Sequence, residues 1–316
     1  MPLSPTQNHR AAWLGAIALC ISVLIIAIHF GFGQPKTDEL GPSLEPVPPS
    51  EAISNDKPQM PEPAPEIGVP ASSLPPEANT TSLEVGKDST ALHLPILIYH
   101  YVRDTVHSRD ILRYQMNVPP AIFEAQLQTL IDDGFHFVSL SQIADALEAK
   151  IQLPEKPMAI TLDDGYEDVY STVFPILKKT QAKITAFLIT DYLDHKKYLK
   201  SPEVEELLKS GLVEIGSHTL NHPHLDKLKD DLALKQIAES KALLEKDFGS
   251  TVSAFAYPYG LFNKQTPKLV EGAGYRIAVS TIYGADDSLK NRYFLPRINV
   301  GQRIGKKLLD FISAFK

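Results

Sequence analysis

From about Leu92 onward, short apolar runs alternate with helical patterns, and this alternation constrains the fold more than any other feature of the chain. Segments such as Pro95–Tyr99 and Ala159–Leu162 are apolar almost throughout, as strands covered on both faces must be. Further strands are predicted at Phe135–Val138, Ile184–Ile189, Val213–Ile215 and Ala254–Ala256, with late ones at Arg276–Val279 and Tyr293–Leu295. Helices are predicted at Phe123–Asp133, Gln142–Ala149, Val169–Lys179, Glu203–Lys209, Asp231–Asp247, Lys264–Glu271 and Lys306–Ala314. Such alternation needs crossover connections, hence parallel strands with helices outside. The predicted class is α/β: a distorted or incomplete (β/α) barrel of about seven parallel strands over residues 92–316.

Charge is concentrated elsewhere. Residues 34–90 hold ten acids against three lysines, and Arg10 is the one charge before them, so of the net charge of -7 only -1 belongs to residues 91–316. A nearly neutral folded part lacks the basic face that nucleic acid requires, and no such partner is expected. The same stretch holds twelve prolines and few large apolar residues. It has too little surface to bury, so residues 34–91 are expected as an extended, Pro-rich acidic linker. Before it, Ala11–Phe32 carries no charged residue. As a helix this run is about 33 Å long, against a hydrocarbon core of about 30 Å. We expect an uncleaved transmembrane anchor at residues 11–33, because the run is long and ends without a small-x-small cleavage site. His9 and Arg10 precede it, which places residues 1–10 in the cytoplasm and the folded domain on the periplasmic or extracellular side. Cys20, the single cysteine, lies within this run and permits no internal disulfide.

Three motifs stand at strand ends, where an α/β barrel carries its chemistry. Thr161-Leu162-Asp163-Asp164-Gly165 places two carboxylates side by side, which repel unless something positive lies beside them. Alone it reads as a turn, since Asp-Gly is turn chemistry. His218-Thr219-Leu220-Asn221-His222 follows the strand Val213–Ile215, and an i, i+4 pair on one side of a helical turn suits a single metal ion. An isolated pair at that spacing is more often coincidence than ligand; His224, beyond Pro223, is set aside. Phe255-Ala256-Tyr257-Pro258-Tyr259-Gly260 is by itself a strand with an aromatic turn. Taken together, one Asp and two His ligands leave open positions on a dication, and the second Asp is available as a base toward water.

This order of motifs resembles the polysaccharide deacetylases of carbohydrate esterase family 4, the NodB-homology fold, over roughly residues 92–300. The resemblance implies that Asp163 is the catalytic base and that Asp164, His218 and His222 hold the metal. It implies that the Tyr259 backbone N–H helps to hold the oxyanion. Two departures stand out. The Arg common two positions before the Pro of the Pro-Tyr motif is Ala256 here, and no histidine follows His224, so a late acid is impossible. The acid must come from His93, His100, His107, His136 or His195. His100 ends the first strand, where a barrel places catalytic groups. Its setting in Tyr99-His100 resembles the circularly permuted branch that includes poly-β-1,6-N-acetylglucosamine deacetylases. In that branch Arg297 would replace the missing Arg and hold Asp163; as a bare residue it reads equally well as a surface ion pair.

The implied reaction is N-deacetylation of an extracytoplasmic amino-sugar polymer, most of all poly-N-acetylglucosamine. The cofactor is a divalent metal, zinc first, with cobalt or nickel as alternatives. A protonated His100 would serve the departing amine. Peptidoglycan, chitin oligomers and O-acetyl xylan are alternative substrates within the same fold. A noncatalytic glycan-binding surface protein is the alternative of another class, and the intact Asp163, Asp164, His218 and His222 count against it.

Overall fold

The computed structural model of the protein describes residues 91–104, 116–288 and 290–315. The N-terminus at 1–10, the span expected at 11–33, His107 and all of the expected linker except Ala91 lie outside them. Among the described residues, no helix is long and apolar enough to cross a membrane. The chain divides into two units between Asn79 and Thr80, and every described residue belongs to the second.

Among the described residues, seven parallel strands form the sheet in the order β10-β8-β7-β6-β5-β4-β2. They are β2 (Ile96–Tyr99), β4 (Pro157–Leu162), β5 (Ile184–Leu188), β6 (Val213–Ser217), β7 (Ala254–Ala256), β8 (Ile277–Tyr283) and β10 (Leu295–Arg297). Past β10 the chain meets β2, where Ile98 N–H donates to Ile298 O (3.1 Å) and Ile298 N–H to Ile96 O (2.8 Å). These bonds bring the two ends of the sheet together in a nearly closed barrel. A short β3 (His136–Phe137) pairs with the start of β4. One pairing has no counterpart in the sequence pattern: β1 (Ala91–His93) lies antiparallel to β9 (Asp286–Ser288), which takes Ala91 out of the linker.

Helices α1 (Pro120–Asp132), α2 (Leu140–Leu147), α3 (Phe174–Thr180), α4 (Ser201–Lys209), α5 (Asp230–Phe248), α6 (Thr266–Gly272) and α7 (Gly305–Ser313) fall between or after strands, as the alternation requires. Their ends follow local chemistry. Ser139 and Gln142 form a reciprocal capping box at α2, and Gly249 takes φ +62° to end α5.

The strand period divides the core in two. Met158, Ile160 and Leu162 of β4 pack with Leu97 and Tyr99 of β2 and with Phe123, Leu127 and Leu130 of α1. Ala159 faces the other way, into a smaller cluster with Ile96, Phe187, Ala254, Ala256, Val279 and Leu295. Thr161 and Asp163 share the parity of Ala159, so the inward column of β4 turns polar toward its C-terminal end. That end carries the site.

Candidate active site

Asp163 is buried, with 2% exposure, and Arg297 at the end of β10 is buried beside it with 1%. The guanidinium grips the carboxylate by two bonds, Nη1 to Oδ1 and Nη2 to Oδ2, each 2.7 Å. Arg297 is itself held by Thr161 Oγ1 (3.0 Å) and by the Ser280 carbonyl (2.8 Å to Nε). Burial alone would raise the Asp163 carboxyl, but Arg297 outweighs it and holds the group below the usual carboxylate range. The positive neighbour that two adjacent carboxylates demand is therefore Arg297, and the surface ion-pair reading of this residue is corrected.

Asp164 points elsewhere. Its φ of +74°, followed by +70° at Gly165, turns its carboxylate toward the β6–α5 connection. Gly165 is needed there, since a Cβ would meet the Leu188 side chain at 3.0 Å and the left-handed φ would be strained besides. Asp164 Oδ1 lies 3.5 Å from Nε2 of both His218 and His222, whose Nε2 atoms are 3.2 Å apart.

The two histidines are not on a helical turn, contrary to the reading of their spacing. Thr219 (φ +71°) and His222 (φ +61°) make an irregular turn, closed by His222 N–H donating to Thr219 Oγ1 at 2.9 Å. Left-handed backbone at Asp164, Thr219, His222 and Tyr259 concentrates strain around one point, as functional sites commonly do.

The donor set fits a dication. His218 Nδ1 lies 2.8 Å from the Ala256 carbonyl oxygen, which can only accept, so Nδ1 carries the proton and Nε2 presents a lone pair. Burial and the adjacent His218 push His222 down to about 4. Burial would lower His218 too, but the facing Asp164 carboxylate raises it above the usual value. Asp164, His218 and His222 offer ligand atoms all within 4.8 Å of one another, close enough for the three to share one cation. His224 stands apart from this set, stacked on Tyr259 at 4.2 Å and 8°.

Tyr259 lies at the end of β7 in a tight turn with φ +59°, its ring 4.5 Å from His222. Gly260 permits the close approach to β8, since a Cβ there would fall 1.9 Å from Thr281 Oγ1. Opposite, His100 Nε2 is 3.9 Å from Asp163 Oδ2, at the mouth of the barrel. Burial lowers its ring below the ordinary histidine value, with Asp163 opposing. At rest this favours the uncharged ring, so a proton that His100 gives to a leaving amine would have to reach it during the reaction. His136 is exposed and bonds the Glu155 carbonyl, and His195 is exposed with its ring stacked against Tyr192. Thr161 was missed by sequence reasoning, although its parity with Asp163 was visible. The Ala256 carbonyl left no sequence signal.

Fold and site together define a barrel with a buried, arginine-held carboxylate beside an Asp-His-His cluster that could hold a cation. A family profile described as polysaccharide deacetylase matches residues 150–278. The Bacillus subtilis (strain 168) protein YxkH, assigned to the polysaccharide deacetylases, is 34% identical over 207 residues, covering 66% of this chain and 71% of its own length. The poly-beta-1,6-N-acetyl-D-glucosamine N-deacetylase of Staphylococcus aureus (strain MSSA476) is 28% identical over 221 residues, 66% of this chain and 75% of that protein. Among solved structures, the Streptococcus pyogenes deacetylase PplD in complex with acetate superposes with a TM-score of 0.65 at 28% identity, over 71% of this chain and 99% of that one. The chain belongs to the polysaccharide deacetylase family and is a polysaccharide N-deacetylase, a hydrolase.

Proposed function

We propose that the protein removes N-acetyl groups from poly-N-acetylglucosamine outside the cytoplasm, using a dication held by Asp164, His218 and His222, and that residues 11–33 anchor it in the membrane. The observation that carries the chemistry is the divergence of two neighbouring carboxylates, Asp163 toward Arg297 and Asp164 toward the histidines. The choice of polymer rests on the Staphylococcus aureus relative. The anchor rests on the uncharged run Ala11–Phe32.

When bound, a dication (zinc by the donor set) supplies Lewis-acid activation of water and of the acetyl carbonyl. Asp163, kept ionised and oriented by Arg297, takes the proton from the attacking water. The Tyr259 N–H donates to the oxyanion of the tetrahedral intermediate. His100, neutral at rest, lies a short path from the proton collected on Asp163 and delivers it to the departing amine. Acetate and a polymer amine are the products.

The test is acetate release by the full-length chain from N-acetylglucosamine oligomers in β-1,6 linkage, against chitin oligomers, peptidoglycan and O-acetyl xylan. The β-1,6 oligomers should be preferred, and a chelator should stop turnover until zinc is restored. His218→Ala and His222→Ala should each lower bound zinc, whereas His224→Ala should retain it. Chelator-insensitive turnover, or zinc lost only with His224→Ala, overturns the cation site. Preference for another polymer overturns the substrate.

A further inference from the structure

His100 must be held at a set distance from Asp163, yet the sheet stops supporting it one residue earlier. The β2–β4 ladder ends at the pair Tyr99 and Leu162, with Asp163 N–H donating to the Tyr99 carbonyl at 3.0 Å. Beyond it, Tyr101 bridges to Asn117, and the next anchor is a side chain. Asp168 Oδ2 accepts the Val102 N–H at 2.7 Å and Arg103 Nε at 3.0 Å, while Oδ1 accepts Arg103 Nη2 at 3.1 Å. All three bonds come from the segment that follows His100.

Asp168 is buried, with 3% exposure, and sits four residues after Asp164 in the same loop. That loop is itself fastened: Val169 N–H donates to the Tyr166 carbonyl and Glu167 N–H to the Lys197 carbonyl. The arginine also covers the rings of Tyr101 and Tyr166, at 4.9 and 5.3 Å, and the Tyr101 hydroxyl donates to that of Tyr166 at 2.7 Å. One buried carboxylate thus joins the loop carrying the base and a metal ligand to the segment carrying the acid. A buried carboxylate needs such partners, and the bonds that this one makes to the Val102 backbone and the Arg103 guanidinium fasten the neighbourhood of His100.

We infer that Asp168 is a positioning residue for this hydrolase, setting the His100 ring against Asp163 and so governing protonation of the leaving amine and not activation of water. The inference rests on the acid role of His100 proposed above. Displacement of a reacting group by ~1 Å costs on the order of 100-fold. In the full-length, zinc-loaded chain, Asp168→Asn should therefore lower kcat on N-acetylglucosamine oligomers by about 10- to 100-fold. The loss on 4-nitrophenyl acetate, whose leaving group needs no proton, should be less than about threefold, and zinc content should be unchanged. The decisive measurement is the double variant. If Asp168 acts through His100, Asp168→Asn in a His100→Ala background should change oligomer turnover by less than about twofold.

A double variant lower than His100→Ala by the full factor seen in wild type overturns the inference and leaves the role of His100 standing. An unchanged ester-to-amide ratio in His100→Ala alone overturns both. Should Asp168→Asn not fold, Arg103→Met decides: it removes a partly exposed side chain and keeps the Val102 bond. It should raise the ester-to-amide ratio in the same direction by a smaller factor. A folded Arg103→Met with the wild-type ratio counts against Asp168.

Discussion

Arg297 and Asp163 meet at the C-terminal end of the barrel with both side chains out of water, whereas at the other end Arg276 and Arg292 share Glu148 near the surface. Side-chain exposure is 0% and 3% for the first pair, but 28% and 22% for Arg276 and Glu148. Both clusters hold their carboxylates below the usual range, Glu148 through its bonds to Arg276 and Arg292, Asp163 through Arg297 against the opposing effect of burial. The outer network joins α2 to the start of β8 at little desolvation cost, and water can replace any of its members. The inner pair is costly to bury and has no substitute, so its return is orientation of one carboxylate more than stability.

The contrast is sharpest at Arg297. Arg297→Met should abolish measurable deacetylation and cost about 3–5 kcal/mol in urea denaturation, because Asp163 is left buried without its partner. A stable, active variant would show that the pair is ornamental. His100→Ala should come next, lowering oligomer turnover by about 100- to 10,000-fold, the range for a lost general acid, while sparing an activated acetate ester. Comparable losses on the two substrates would remove His100 from that role.

A smaller effect is expected with pH. Burial places the His100 folded value below its unfolded value of about 6.5. The ring is therefore neutral through pH 7 to 8, and it gains a proton only as pH falls below that value. If the proton reaches it from Asp163 during the reaction, kcat/KM on oligomers should stay level between pH 6.5 and 8. A decline across that window would mean that His100 must start protonated. Smallest of all should be Glu148→Gln, with turnover unchanged and a stability loss of no more than about 1 kcal/mol, since both sides of the network are partly solvated. A loss like that of Arg297→Met would erase the distinction between the two ends.

Much of this architecture is legible in the chain because it depends on local physics. Ala159–Leu162 is apolar because both its faces are covered, and the helix boundaries at α2 and α5 follow capping and glycine chemistry. Asp163-Asp164-Gly165 and the His218, His222 pair are each weak alone, and they stand out because both follow apolar strands in one order with Pro258-Tyr259-Gly260. What could not be read is what local propensity opposes. The spacing of His218 and His222 implied a helical turn, but tertiary contacts hold Thr219 and His222 in left-handed backbone that L-residues seldom choose. The short β1–β9 pairing carries no hydrophobic alternation that would announce it.

By itself, the order of residues determined the α/β class, the strand ends on which chemistry would sit, and the carboxylates and histidines that would provide it. Each of these depends on neighbours within a few positions, where period and residue type carry the information. Only the closed barrel decided which carboxylate would do what. Arg297 is 134 residues from Asp163, and no local signal connects them. Their contact exists because β10 closes toward β2 at one edge while β4 lies at the other side of β2. That closure gives two adjacent, chemically identical side chains different surroundings, one buried against Arg297 and one turned toward His218 and His222, a distinction that exists only once the low-dielectric interior has been formed.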